Sequence, residues 1–251
     1  MIGVVGGVGP YAGTDLVNKV LDQTRARGDR EHLDIVLISA PRLIDDRTEF
    51  LLGRGRRNPA EGLFRVVRLL GRAGATVIGI PCNTAHAAPI FDVLRRKLRQ
   101  GRSRVRLLHM IEEVAVFLRE HHPSVRRVGL LATTGTCRAG AYEDVLRPLG
   151  IEVLLPQKAV QRGVHRAIYD RTYGIKGRGN PVTARARGDL ATAADGLLRA
   201  GAQAVLLGCT ELPLAFKERR HRGRPLIDST LVLARALVRT ASPGRLRKWT
   251  E

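Results

Sequence analysis

The sequence predicts an α/β fold made of two similar halves, each a doubly wound parallel sheet, related by a pseudo-two-fold axis. Three observations predict it. Short apolar runs alternate with helical stretches, the runs are continuous and rich in β-branched residues or leucine, and the pattern is written twice. Continuous apolar strands suit a parallel sheet, because helices cover both of its faces. Alternating strands and helices then give the doubly wound arrangement. Sites in such sheets lie beyond the carboxyl ends of the strands. A chain of 251 residues holds one large α/β unit or two, each of about 100–150 residues.

Taken in order, Ile2–Val5 reads as a strand that breaks into Gly6-Gly7-Val8-Gly9-Pro10, with a helical pattern over Asp15–Thr24. Ile35–Ile38 and Val77–Ile80 are the next strands. Between them Leu63, Val66, Val67 and Leu70 share one helical face, and Gly74 stands where a helix end favours a left-handed residue. The second half repeats this with strand Val128–Leu131, a threonine-rich glycine turn, helix Ala141–Leu146, and strands Val153–Leu155 and Ala204–Leu207. Leu70–Cys82 aligns with Leu197–Cys209 without a gap, with Arg72/Arg199, Ala73/Ala200, Gly74/Gly201, Ala75/Ala202 and Cys82/Cys209 identical. Ile2–Pro10 likewise matches Val128–Thr136. Asp34–Ser39 with Glu152–Pro156, and Leu107–Ile111 with Pro225–Ser229, are weaker pairs. The repeat is far too long for a solenoid, so it is a duplication, and two halves facing each other are expected.

The formal charge is +20, from 43 Lys and Arg against 23 Asp and Glu. The cations cluster at Arg95–Arg106, Lys217–Arg224 and Arg245–Lys248, as phosphate-binding chains do. Aromatic residues at 4% leave few platforms for stacking bases. No helix-turn-helix, zinc-finger or RNP signature is present, and the bias to arginine is also what a GC-rich genome produces. A specific nucleic-acid partner is therefore not expected, and the useful consequence is a field that attracts small anions. No apolar run reaches the roughly 18 residues of a membrane span. Met1–Val8 has no basic residues ahead of it and runs into a turn and Asp15, so it reads as a buried strand and not a signal peptide. Cys82, Cys137 and Cys209 are too few and scattered for a disulfide framework, so a reducing cytoplasm is expected. Cys82 with His86 offers at most two zinc ligands. Gly3, Gly6, Gly7 and Gly9 do not fit a dinucleotide fingerprint. Neither a metal nor a cofactor is expected.

Cys82 and Cys209 each stand at the end of an apolar strand, with a helix start expected next. A thiol so placed feels positive potential, which lowers its pKa from about 8.5. A lone cysteine there is most often a small core residue. Two at matching places in a duplication point elsewhere, because equivalent positions meet near the pseudo-two-fold axis. Their neighbours are polar: Asn83, Thr84 and His86 on one side, Thr210 and Glu211 on the other. Buried polar groups need partners, so such clusters line sites. Two opposed sulfurs suit a nearly symmetric reaction. A thiolate on one face takes a Cα proton while a thiol on the other returns one. Glu211, or His86 one helical turn after Cys82, would tune a sulfur. Asn83, Thr84 and Thr210 would hold a carboxylate.

Pro81-Cys82-Asn83-Thr84-Ala85-His86 and Gly208-Cys209-Thr210-Glu211-Leu212-Pro213 resemble the two signature motifs of the aspartate/glutamate racemase family. Gly6–Pro10, Asp46-Arg47-Thr48 and Leu131–Thr136 match in the same order, and the likeness is closest to the aspartate racemase branch. The resemblance implies two α/β subdomains with the site in the cleft between them. It also implies cofactor-independent racemisation of an acidic amino acid by two cysteines, often in a homodimer. It assigns Cys82 and Cys209 as the bases, and Asn83, Thr84, Thr134, Thr136 and Thr210 as binders of the α-carboxylate and amino group. Arg47 and Lys176 become the cations for the side-chain carboxylate. Arg47 follows the second strand and its guanidinium suits a bidentate grip. Lys176 lies in Tyr173-Gly-Ile-Lys-Gly177, a loop-like segment that would either close over a ligand or stand as a solvated turn. The last strand and helix are implied to pack back on the first half, giving 1–106 with 226–251 as one domain and 107–225 as the other.

The chain also departs from the family. Gly13 stands where a small hydroxyl residue is common, Asp45 where a proline usually precedes Asp-Arg-Thr, and Arg42 adds a cation near the substrate end. Cys137 is read as packing or an oxidation liability, with no catalytic part. These changes bear on which amino acid is taken. An isomerase or decarboxylase of a dicarboxylate on the same scaffold is the alternative enzyme. A non-catalytic anion- or nucleic-acid-binding protein is the alternative from another class.

Overall fold

The computed structural model describes residues 1–179, 181–216 and 218–250. Lys217, at the head of the second basic run, lies outside the described residues. The first compact unit runs from Met1 to Glu113 and takes up the chain again from Thr230; the second is Val114–Ser229.

The first unit holds β1 (Ile2–Gly6), α1 (Pro10–Gln23), β2 (Ile35–Ser39), α2 (Arg47–Leu51), α3 (Ala60–Arg72), β3 (Val77–Gly79), α4 (Ala88–Gln100) and β4 (Arg106–Leu107), after which α5 (Met110–His121) begins. Its sheet has the order β2-β1-β3-β4, with every pairing parallel. The second unit holds β5 (Arg127–Ala132), α6 (Thr134–Arg138), α7 (Ala141–Leu146), β6 (Glu152–Leu154), α8 (Lys158–Tyr169), α9 (Ile175–Arg178), α10 (Ala184–Arg199), β7 (Ala204–Gly208), β8 (Arg220–His221) and β9 (Arg224–Asp228), and α11 (Ser229–Ala241) follows. Its order is β6-β5-β7-β9-β8, parallel except for the small β8–β9 hairpin. The two orders coincide strand for strand once β8 is set aside, which is the duplication seen in three dimensions.

The cuts expected at 106 and 225 fall a few residues ahead of the unit ends at Glu113 and Ser229. A cut after residue 106 divides β4, whose Leu107 pairs with Ile78 of β3. A cut after residue 225 divides β9, whose Leu226, Ile227 and Asp228 pair with β7. These are the fourth strands of their sheets, and each unit ends only after its own. The α1 helix also starts five residues earlier than its apolar pattern, at Pro10, where a proline is already shaped for the first helical turn.

The repeated Arg-Ala-Gly-Ala encodes the same helix stop twice. Gly74 and Gly201 have φ of 95° and 98°. After α3 the Ala75 N–H donates to the Leu70 carbonyl at 3.0 Å, and after α10 the Ala202 N–H donates to Leu197 at 3.1 Å. This is the Schellman pattern, and only glycine takes its left-handed position at no steric cost. Leu63, Val66, Val67 and Leu70 of α3 are fully buried with Val5, Ile78, Ile80 and Ile90 on one face of the first sheet. Each is worth roughly 1.5–3 kcal/mol of burial. Ile2 and Val4 point to the other face, where Leu16 and Val20 of α1 pack with Leu233 and Leu237 of α11. The second sheet buries Val205 and Leu207 against Val164, Leu190, Ala194 and Leu197. Among the described residues, no helix is long and apolar enough to cross a membrane.

Candidate active site

In both units the candidate cysteine lies beyond the carboxyl end of one of the two central strands. β1 and β3 are neighbours in the first sheet, and β5 and β7 in the second, where Ala132 lies opposite Gly208. The loops after these strands therefore emerge side by side.

In the first unit Cys82 is reached through Ile80 and Pro81. Its N–H donates back to the Ile80 carbonyl at 2.8 Å, and its own carbonyl accepts the Ala85 N–H at 3.1 Å, closing a 3-10 turn over Asn83–His86. Cys82, Asn83, Thr84 and His86 are all buried. The His86 Nδ1 lies 2.9 Å from the Cys82 carbonyl oxygen. His86 thus acts on the main chain of Cys82. Burial, with His109 beside it, pushes its pKa down to about 3, so the ring is neutral.

Arg47 opens α2, which Asp46 caps by accepting the Glu49 N–H at 2.8 Å. Its buried guanidinium donates to the Val8 carbonyl and, at 3.2 Å, to the Asp45 carbonyl. The sequence reading gave Arg47 only a ligand to grip. The structure also makes it a tie between the loops after β1 and β2. Those loops come very close: a Cβ on Gly7, where φ is 83°, would lie 2.6 Å from the Pro41 nitrogen. Arg42 is exposed.

In the second unit the expected threonine turn is the short helix α6. Thr133 caps it, accepting the Thr136 N–H at 3.3 Å, with the two hydroxyls 3.1 Å apart. Thr136 is buried, and the Thr134 N–H points to Nδ1 of His165 at 3.4 Å. Cys137 is half-buried with its thiol 3.7 Å from Oε1 of Gln161, and burial raises its pKa to about 12.

Cys209 follows β7 directly and is buried. Its thiol donates to Oε2 of Glu211 at 3.0 Å, and the Thr210 hydroxyl reaches the same oxygen at 3.3 Å. The other oxygen, Oε1, pairs with Lys176 Nζ at 2.9 Å. Lys176 stands in α9, with its ammonium 5.3 Å from the centre of the Tyr169 ring. The segment read as a loop is thus a short helix that delivers a cation to Glu211.

The electrostatics of Cys209 correct the sequence expectation. Each cysteine is followed by a 3-10 turn rather than directly by an α-helix. Burial, reinforced by the Glu211 charge, drives the Cys209 thiol well above the usual range, and Lys176 only partly opposes this. Glu211 itself is buried, which works to raise its pKa. The Lys176 charge and the Cys209 hydrogen bond outweigh that and hold it below the usual carboxylate range. The resting arrangement is a thiol donating to a carboxylate that is paired with an ammonium.

Sequence reasoning missed His109, which caps α5, and the pair His165 and Tyr169 on α8. The four-residue spacing of the latter, just before the Lys176 segment, was the available signal. A groove lined by several arginines lies elsewhere. About 480 Å³ in volume, it is lined by Phe64, Arg68, Arg72, Thr76 and Arg104, at the amino ends of β3 and β4. Some of the positive charge is engaged internally: Lys97 with Glu61, Arg222 with Asp195, Arg239 with Glu113 and Arg245 with Glu31. No group of three His, Cys, Asp or Glu suited to a metal occurs among the described residues.

Among solved structures, the Picrophilus torridus aspartate racemase resembles the chain with a TM-score of 0.80 at 29% identity, covering 98% of this chain and 96% of that one. An aspartate racemase homologue from Pyrococcus horikoshii OT3 gives a TM-score of 0.72 at 25% identity, covering 96% and 98%. By sequence, the broad specificity amino-acid racemase RacX of Bacillus subtilis is 28% identical over 160 residues, 61% of this chain and 63% of RacX. Both halves of the duplication are spanned by a single family model, that of the Asp/Glu/Hydantoin racemases, which matches residues 5–237, and the chain belongs to that family.

Proposed function

We propose that the chain is a cofactor-independent racemase that inverts the α-carbon of an acidic amino acid, aspartate foremost, with Cys82 and Cys209 as its two bases. The observation that carries this reading is the repeated cysteine. In two sheets of the same strand order, a buried cysteine stands beyond the end of the equivalent strand, within the span of the family match. Aspartate leads because the likeness to the Picrophilus aspartate racemase extends over nearly the whole chain. The likeness to RacX keeps other amino acids in the test.

In the proposed reaction the Cys82 thiolate takes the Cα proton from one face while the Cys209 S–H gives its proton to the other. One Cα–H bond breaks and another forms, Cys82 ends protonated and Cys209 ends as thiolate, and the opposite enantiomer runs the exchange in reverse. The resting thiol at Cys209 suits the donor's part, and Glu211 sets how firmly that proton is held. Asn83, Thr84, Thr134, Thr136 and Thr210 supply donors for the α-carboxylate and amino group. Arg47 and Lys176 supply positive charge for the side-chain carboxylate. Donors fixed before charge develops are what lowers the barrier. The same reading has a cytoplasmic homodimer with no membrane or specific nucleic-acid partner.

The test is Cα–H exchange in deuterium oxide with no added cofactor. Either enantiomer of aspartate is expected to gain deuterium and to interconvert. No exchange with aspartate, glutamate or any other common amino acid would overturn the reading.

A further inference from the structure

We infer that His109 is a positioning residue for Cys82, acting through His86 by a relay of two neutral imidazoles. The inference rests on the reading of Cys82 as one of the two bases.

The tautomers follow from the partners. His109 precedes α5 and caps it: its Nδ1 accepts the Glu112 N–H at 3.2 Å, and its carbonyl accepts the Glu113 N–H at 3.0 Å. A main-chain N–H only donates, so Nδ1 of His109 carries the lone pair and Nε2 carries the hydrogen. That Nε2 lies 3.2 Å from the His86 carbonyl oxygen, to which it donates. His86 in turn directs Nδ1 at the Cys82 carbonyl oxygen at 2.9 Å, so its hydrogen is on Nδ1. Nε2 of His86 is buried and meets no hydrogen-bond partner at normal distance, with the Leu108 main chain as the other polar group beside the ring. Packing fixes both rings. Phe91 stacks on His86 at 4.9 Å between centroids, while His109 meets Phe91 edge-on at 4.5 Å and His86 at 4.9 Å.

The relay fastens both ends of one turn. The His86 ring holds the carbonyl of Cys82 at its start, and His109 holds the carbonyl of His86 at its finish. Asn83 and Thr84 lie between these two points, so the relay fixes one base and two proposed substrate donors together. A helix cap alone would need only an acceptor at position 109; the donor toward His86 is the part that reaches the site. Misplacement of about 1 Å at a reacting group costs up to about a hundredfold in rate.

The test separates cap from donor. His109→Ser keeps an acceptor for α5 but has no donor long enough to reach His86, whereas His109→Gln gives up that acceptor and puts an amide N–H where Nε2 stands. The serine variant is expected to lose kcat, up to about a hundredfold, with a smaller rise in KM because Asn83 and Thr84 shift with the turn, and the glutamine variant is expected to recover most of the kcat. Cys82 alkylation by iodoacetamide, followed peptide by peptide, is expected to speed up severalfold in the serine variant only, with Cys209 unchanged as the internal control. Serine and glutamine variants that behave alike in the alkylation measurement would overturn the relay. A wild-type protein that exchanges no amino acid would overturn the proposed function instead, and the alkylation rates would still decide the role of His109.

Discussion

Oε2 of Glu211 accepts the Cys209 thiol at 3.0 Å while Oε1 of the same carboxylate pairs with Lys176 at 2.9 Å. One buried side chain therefore links a sulfur to a cation. The two neighbours act on the sulfur in opposite directions. The Glu211 charge makes the thiol harder to ionise, and the Lys176 charge makes it easier.

That opposition is measurable. Glu211→Gln is expected to move the alkylation profile of Cys209 to lower pH, and Lys176→Met to higher pH. The displacement expected is about one to three units, the usual effect of a charge in contact. Rates followed at the Cys209 peptide across pH 6–11 would check it. Shifts in the same direction would show that the two side chains serve structure rather than the proton of this sulfur.

The cysteines themselves divide two against one. Cys82→Ala and Cys209→Ala are each expected to lower racemisation by about 10²–10⁴-fold, the usual contribution of an acid–base group. Cys137→Ala is expected to be nearly silent, because its thiol sits 3.7 Å from Gln161 and takes no part in the α6 cap. Turnover of both aspartate enantiomers in the three variants checks this. A Cys209 variant with full activity would contradict the two-base scheme.

The strand ends and both cysteines were legible because the duplication repeats them. Arg-Ala-Gly-Ala encodes one helix stop twice, and Cys82 and Cys209 stand eight residues beyond the two glycines that make it. The fourth strands were less legible. β4 spans only Arg106–Leu107, too short for a periodic signal, and β9 is interrupted by Pro225. The charge state of Cys209 could not be read either. Helix position alone suggests a lowered pKa, but burial and a carboxylate at 3.0 Å dominate, and both depend on tertiary contacts. The place of Lys176 was hidden for the same reason. Its partner Glu211 is distant in sequence, and nothing local distinguishes one cation among 43.

Arg47 carries two obligations that substitution would separate. Its guanidinium bonds to the carbonyls of Val8 and Asp45 tie two loops, and its proposed role is to pair with a substrate carboxylate. Arg47→Lys keeps the charge but loses the planar fork. It is expected to lower kcat/KM for aspartate by about tenfold to a hundredfold, the scale of a charged hydrogen bond, and to cost a neutral amino acid much less. Parallel kinetics on aspartate and alanine check this. Equal losses would leave Arg47 as a loop tie and place the side-chain anchor elsewhere.

His86 sets a pH dependence of stability. Its imidazole is pushed down to about 3 in the fold, first by burial and then by His109, whereas an unfolded histidine titrates near about 6.5. Above the unfolded value both states are neutral and the residue contributes no slope. As pH falls below it, the unfolded chain takes a proton that the fold refuses, so stability is lost continuously until His86 itself protonates near pH 3. His86→Asn is the comparison, since its amide keeps an N–H for the Cys82 carbonyl and does not titrate. Urea midpoints of the two proteins from pH 7 to pH 4 are expected to converge or cross, with the wild type losing up to about 1.4 kcal/mol per pH unit relative to the variant. Curves that stay parallel over that range would mean that His86 carries its proton in the fold, and the relay from His109 to Cys82 would then have to be drawn with a charged ring.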